Sequence, residues 1–140
     1  MKQRLLEGLA SVNSKPQGHA LSHAIAELVS AIACEGKAWD EVLGQITTLL
    51  RDAQENRREI AAFLLCKIAE YAGEEVLVPH AKELWPTIHN LLSDSCVQVT
   101  SRGIQAICYL ILSMDGTSQR QCSQLIQPIL EVWYRDVSLV

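Results

Sequence analysis

Apolar residues return every three or four positions along most of this chain, which is the spacing of one helix face. The longest such segment is "NRREIAAFLLCKIAEYAG", where Leu64, Leu65, Ile68 and Ala72 form the apolar stripe and Gly73 marks the end. "ALSHAIAELVSAIACEG" is a second predicted helix, ending at Gly36. "AWDEVLGQITTLLRD" follows, with Asp40 and Glu41 in its first turn, where the helix dipole favours acids. "VPHAKELWPTIHNLLSD" places Pro79 near a helix start, where proline is tolerated. "VQVTSRGIQAICYLILSM" and "QRQCSQLIQPILEVWYRD" complete the set, separated by the turn "DGTS". The opening "KQRLLEGLAS" reads as helix too, and "VNSKPQG" after it as the loosest loop. No stretch alternates with the period of a strand, and the linkers are short, so neighbouring helices are antiparallel.

Pro86 disturbs this pattern. It falls inside the helical run "WPTIHNLLSD", where a proline removes a backbone donor at a cost of about 3 kcal/mol. "QPILEVWYRD" repeats the arrangement with Pro128, and "LGQITTLLRD" has Gly44 in the same place. In this register Ile46, Ile88 and Leu130 coincide, as do Leu49, Leu91 and Trp133, then Leu50, Leu92 and Tyr134. Asp52, Asp94 and Asp136 close the three blocks. The shift is about 42 residues, within the range of two-helix solenoid repeats. The register continues into the following helices, where Leu65 matches Ile107 and Ile68 matches Leu110. Small residues stand near the start of those helices, Ala61 in one and Gly103 in the other, and allow close pairing. The predicted fold is all-α, an α-α superhelix of antiparallel hairpins in which each repeat touches mainly its neighbours.

Composition agrees. Of 140 residues 49% are apolar but only 5% aromatic, so Leu, Ile and Ala carry the core, as suits helix better than sheet. No window reaches the roughly 18 uninterrupted apolar residues of a membrane span. Glu7 interrupts the opening apolar run, which argues against a signal peptide. The net charge is −4 and no basic stripe is visible, against a nucleic-acid binder. The five cysteines, Cys34, Cys66, Cys96, Cys108 and Cys122, include no CxxC pair and read as reduced thiols of cytosol or nucleus.

Candidate chemistry is sparse. His19 and His23 are spaced i, i+4, but no third ligand accompanies them, so they read as solvated or capping residues rather than a metal site. His80 and His89 have no partner pattern, and Glu74 with Glu75 stands at a helix end. Cys66 and Cys108 read as semi-buried packing residues, and Trp39, Trp85 and Trp133 as core or inter-repeat anchors. No phosphate-binding loop, cofactor motif or catalytic constellation is apparent, and the expectation is a protein without enzymatic activity.

The repeat resembles the HEAT family, on "WPTIHNLLSDSCVQVTSRGIQAICYL": proline in the first helix, "LL.D" at its end, then a valine, here Val99, opening the second. In that family the proline kinks the outer helix over the inner one, and an aspartate and an arginine form a ladder between repeats. The resemblance implies such a ladder for Asp52, Arg58 and Asp94, broken at one rung by Thr100, which stands where arginine is usual.

A narrower resemblance, over most of residues 20–113, is to the amino-terminal third of the karyopherin-β (importin-β) family, nearest its carriers of ribosomal proteins and histones. It rests on "HAIAELVSAIACEGKAWDEVLGQITTLLRD" and "RREIAAFLLCKIAEYAGEEVLVPHAKELWPTIHNLLSD", with His23 to Ala33, Trp39, Arg58-Glu59 and Gly73-Glu74 in matching positions. The resemblance implies cytoplasmic and nuclear residence. It also implies binding of basic cargo proteins and the GTPase Ran on a concave face made by the second helices, with nucleoporins as further partners. Glu59, Lys67, Glu70, Ser101, Gln105 and Tyr109 lie beside the core stripe of those helices and are the candidate contact residues. No metal, cofactor, nucleic acid or membrane partner is expected. A HEAT scaffold or assembly adaptor outside nuclear transport is the alternative.

Residues 1–140 read as one array of about three repeats, open at its carboxy-terminal end. The third repeat stops where its second helix should begin, leaving Ile126, Ile129, Leu130 and Trp133 without a hairpin partner. Importins are arrays several times longer, so the expectation is a segment of a longer solenoid completed by further repeats.

Overall fold

A computed structural model describes residues 2–12 and 14–113, together with Gly116 and Arg120. Six α-helices fill this range: α1 (Lys2–Ser11), α2 (Lys15–Cys34), α3 (Glu41–Leu49), α4 (Glu55–Ala72), α5 (Ala81–Leu92) and α6 (Val97–Leu112). No strand occurs among the described residues. The third block of the register, from Pro128 through Leu130, Trp133 and Tyr134 to Asp136, lies outside them. So do Ile126, Ile129, the expected open end, and Cys122.

The helices pair as three hairpins, α1 with α2, α3 with α4 and α5 with α6. The second helices form a layer with α4 at its centre, packed on α2 along one side and α6 along the other. This position explains the sequence of α4. Ile60, Ala61, Ala62, Leu64, Leu65, Ile68 and Ala69 are all essentially buried, because three helices converge on it. The 42-residue register holds in the packing. Ile46 and Ile88 are both buried, as are Leu49 and Leu91, and Leu65 and Ile107, while Leu50 and Leu92 are both half-buried.

The helix ends differ in places from the sequence expectation. Helix α2 starts at Lys15, so "KPQG" is its first turn rather than loop. Pro16 fits there because a first-turn N–H has no intrahelical acceptor. Gly36 ends α2 in the left-handed region, with φ of 73°, where its amide donates to the Ala33 carbonyl. Helix α4 runs out at Ala72 into a wide π-type turn over Gly73–Leu77 and a 3₁₀ turn over Val78–His80, so Pro79 precedes α5 instead of opening it. Pro86 sits inside α5 and is exposed, as is Gly44 in α3. The missing donor thus falls on the outer side of the hairpin, where water can serve the carbonyl one turn earlier.

Helices α2 and α4 approach closely at Gly18, where an added Cβ would lie 2.4 Å from Ile60 Cδ1. In α6, a Cβ on Gly103 would lie 3.1 Å from Leu91 Cβ of the paired α5. Ala61, the small residue of the other repeat, is fully buried.

Candidate functional site

The turns that join α3 to α4 and α5 to α6 are built the same way. Asp52 Oδ1 accepts from the Gln54 amide at 2.8 Å, and Asp94 Oδ1 accepts from the Cys96 amide at 2.8 Å. These aspartates close a turn with the backbone two residues on, and this role explains their recurrence. The Gln54 amide, assisted by Arg57, holds the Asp52 carboxyl below the usual carboxylate range.

Arg58 links the two turns. Its Nη1 donates to the carbonyls of Asp52 and Ala53, each at 3.0 Å. Its Nε and Nη2 donate to the two Asp94 oxygens of the next repeat, at 2.8 and 3.2 Å. The hydrogen bond to Asp94 raises the guanidinium pKa further. Thr100 replaces Arg58 in register and keeps only the local half of this arrangement. Its hydroxyl donates to the Asp94 carbonyl at 3.2 Å, six residues back, as Arg58 does to Asp52. A threonine is too short to reach a further repeat.

The outward side of the α2, α4 and α6 layer carries the polar residues of the second helices. Their arrangement differs from the expectation at Glu59. That residue is 2% exposed, a buried carboxylate rather than an open contact group. His19 Nε2 of α2 lies 2.7 and 2.9 Å from its two oxygens, and Arg102 Nε of α6 lies 3.4 Å from one of them. A carboxylate only accepts, so the bond requires His19 to carry its proton on Nε2. Burial of this charge demands such partners. One side chain thereby joins three successive second helices. The His19 ring also stacks on Phe63, with centroids 4.0 Å apart, and the Arg102 guanidinium lies 4.9 Å from the Phe63 centroid. Lys15 of α2 donates to Gln98 of α6, across the start of α4.

The row continues along α4. Lys67 pairs with Glu70 at 3.1 Å, a hydrogen bond that raises the lysine pKa. The Lys67 ammonium lies 5.5 Å from the Phe63 centroid and 5.9 Å from that of Tyr71. The Tyr71 hydroxyl lies 3.1 Å from His23 Nδ1, and His23 Nε2 lies 3.1 Å from Glu27. On α6, Gln105 Oε1 accepts from Arg102 Nη1 at 3.1 Å and from Cys66 Sγ at 3.6 Å. Burial pushes the Cys66 thiol up, which favours its neutral form.

Of the six expected contact residues, the structure therefore brings Glu59, Lys67, Glu70 and Gln105 into one connected row. Ser101 is half-buried beside it, and Tyr109 is half-buried against the core. His19, His23, Phe63, Tyr71 and Arg102 belong to the row and were not singled out from the sequence as contacts. Their signal was present: residues 15, 19, 23 and 27 on α2, and 59, 63, 67 and 71 on α4, follow the i, i+4 spacing of one helix face.

Comparison with known families places this arrangement. The model of the family described as "IPO5-like, TPR repeats" matches residues 14–138, most of the chain. Neither the curated proteins nor the solved structures gave a match. The description uses the term TPR, a repeat of about 34 residues, whereas the spacing here is about 42, the length of a HEAT unit. The paired helices, their recurring turns and the matched span agree on a repeat segment of the transport-receptor type, and the chain belongs to the importin-5-like repeat family.

Proposed function

We propose that this chain is a non-enzymatic, protein-binding segment of an importin-β-like nuclear transport receptor, working between cytoplasm and nucleus. The observation that carries the reading is the connected row of charged and aromatic side chains along α2, α4 and α6. These are the helices that would form the concave face in such a receptor. Lys67, Glu70 and Gln105 reach solvent along that row and are the proposed contact groups, together with Tyr71. Glu59 and His19 hold the helices in register and present Arg102. The partners proposed for the face are basic cargo proteins and Ran in its GTP state, and nucleoporins are proposed as further partners.

The test is a pull-down with the immobilised chain, offering Ran loaded with GTP or with GDP, and separately a histone or ribosomal protein. GTP-selective retention that a Lys67→Glu, Gln105→Lys double variant weakens supports the reading. Absence of nucleotide-selective retention and of cargo binding, in a chain extended at both ends, overturns it in favour of a scaffold unrelated to transport.

A further inference from the structure

A second, separate feature lies at the other end of α2. The carboxy-terminal end of α2, the start of α3 and the π-type turn after α4 enclose a cavity of about 310 Å³. That is the lower end of the range of about 300–1,000 Å³ for ligand pockets. Its lining is mixed: Val29 and the Trp39 indole, both buried, and the half-buried Leu43 and Val76 form an apolar part, and Lys37, Asp40, Glu75 and His80 supply polar groups. No buried polar side chain reaches into it, so nothing inside would orient a polar small molecule. The charged groups stand at the mouth.

Those charges are not balanced. Lys37 is paired with Glu35 at 3.7 Å, and His80 with Glu83 at 3.4 Å. Asp40 and Glu75 are exposed at the same mouth, and neither is in a salt bridge among the described residues. Asp40 occupies the N-cap position of α3, where the helix dipole favours its charge, and its side chain makes no cap bond, so the carboxylate oxygens are open to a ligand. The Trp39 indole already meets one ammonium, that of Lys2 in α1, 5.7 Å from the ring centroid. An apolar socket with an acidic, aromatic-edged mouth complements a large apolar side chain followed by a cation.

We infer that this cavity is a docking socket for a partner polypeptide in which a leucine-type side chain precedes lysine or arginine. The apolar side chain fills the space against Trp39, and the cation lies between Asp40 and Glu75. The site is apart from the α4–α6 row and does not depend on the reading of that row.

The experiment uses the whole chain and a fluorescein-labelled Ser-Gly-Leu-Lys-Arg-Gly peptide. Fluorescence anisotropy reads affinity, and the Trp39 indole proton in an NMR titration reads location. The expected result is a shift of that resonance and binding that falls as salt rises. An Asp40→Asn, Glu75→Gln variant, whose helicity is checked by circular dichroism, should bind about three- to tenfold more weakly, the scale of two lost surface ion pairs. Replacing leucine by serine in the peptide should abolish the shift. Equal binding of a Leu-Glu-Glu or an uncharged Leu-Phe-Gly peptide would overturn the inference, since charge would not select the ligand. An unmoved Trp39 resonance, no binding, or full affinity in the neutralised variant would overturn it as well.

Discussion

Arg58→Thr isolates the bond between repeats, because the chain supplies its own control. Thr100 occupies the equivalent position and keeps the local bond to the aspartate carbonyl. A threonine at 58 can make the same bond to Asp52, so the substitution removes chiefly the link to Asp94. That link is two charge-assisted bonds, 2.8 and 3.2 Å long, between side chains 14% and 11% exposed. Hydrogen bonds to charged groups contribute about 1.5–3 kcal/mol, and exposed ion pairs at most about 1 kcal/mol. Residual exposure and the desolvation of both charges pull the value down, and Asp94 keeps its Cys96 amide. The expected loss is therefore about 2 kcal/mol. Urea denaturation followed by helical circular dichroism measures it. A double-mutant cycle with Asp94→Asn, which preserves the turn acceptor, should give a coupling energy of about 1–1.5 kcal/mol. Arg58→Lys should recover only part of the loss, since an ammonium cannot fork across both oxygens. Additive single effects, or a loss below about 0.5 kcal/mol for Arg58→Thr, would refute the ladder as a source of stability.

Three further outcomes are expected. Leu65→Ala and Ile107→Ala, equivalent buried positions, should each cost about 2–5 kcal/mol in denaturant unfolding, and losses under about 1 kcal/mol at both would break the register. Gly18→Ala should destabilise by about 1–3 kcal/mol through the clash with Ile60 Cδ1, partly relieved by Ile60→Val, whereas Gly44→Ala, with open space around it, should stabilise by about 0.5–1 kcal/mol; thermal melts of the three variants decide both signs. The lowered Asp52 pKa means its contribution is present above about pH 4, the unfolded carboxyl value, and is lost as pH falls through the lower folded value. The stability gap between the natural chain and Asp52→Asn should accordingly close on acidification, and a gap that widens below pH 4 would contradict the sign.

Much of the fold was legible in the sequence because it is written in local spacing. Helix periodicity is set within a turn or two, and so are the aspartates that close the α3–α4 and α5–α6 turns with their own backbone. Both recur at about 42 residues, so Ile46 with Ile88, and Asp52 with Asp94, could be aligned without coordinates. Tertiary structure alone decided which residues meet across helices. Glu59 stands beside the apolar stripe of α4 and reads as an open contact group, and His19 reads as a solvated one. Their meeting depends on the lateral offset of α2 against α4, which the close approach at Gly18 and Ile60 sets. Arg102 joins them from α6, 43 residues from Glu59, and Lys15 reaches Gln98 over a separation of 83. The cavity at Trp39 likewise exists only because the turn after α4 folds back against the end of α2. Backbone periodicity is an interaction within one helix, and the sequence states it directly. The sliding and tilting of one helix on another are decided by the shapes of many side chains at once, and no local pattern encodes them.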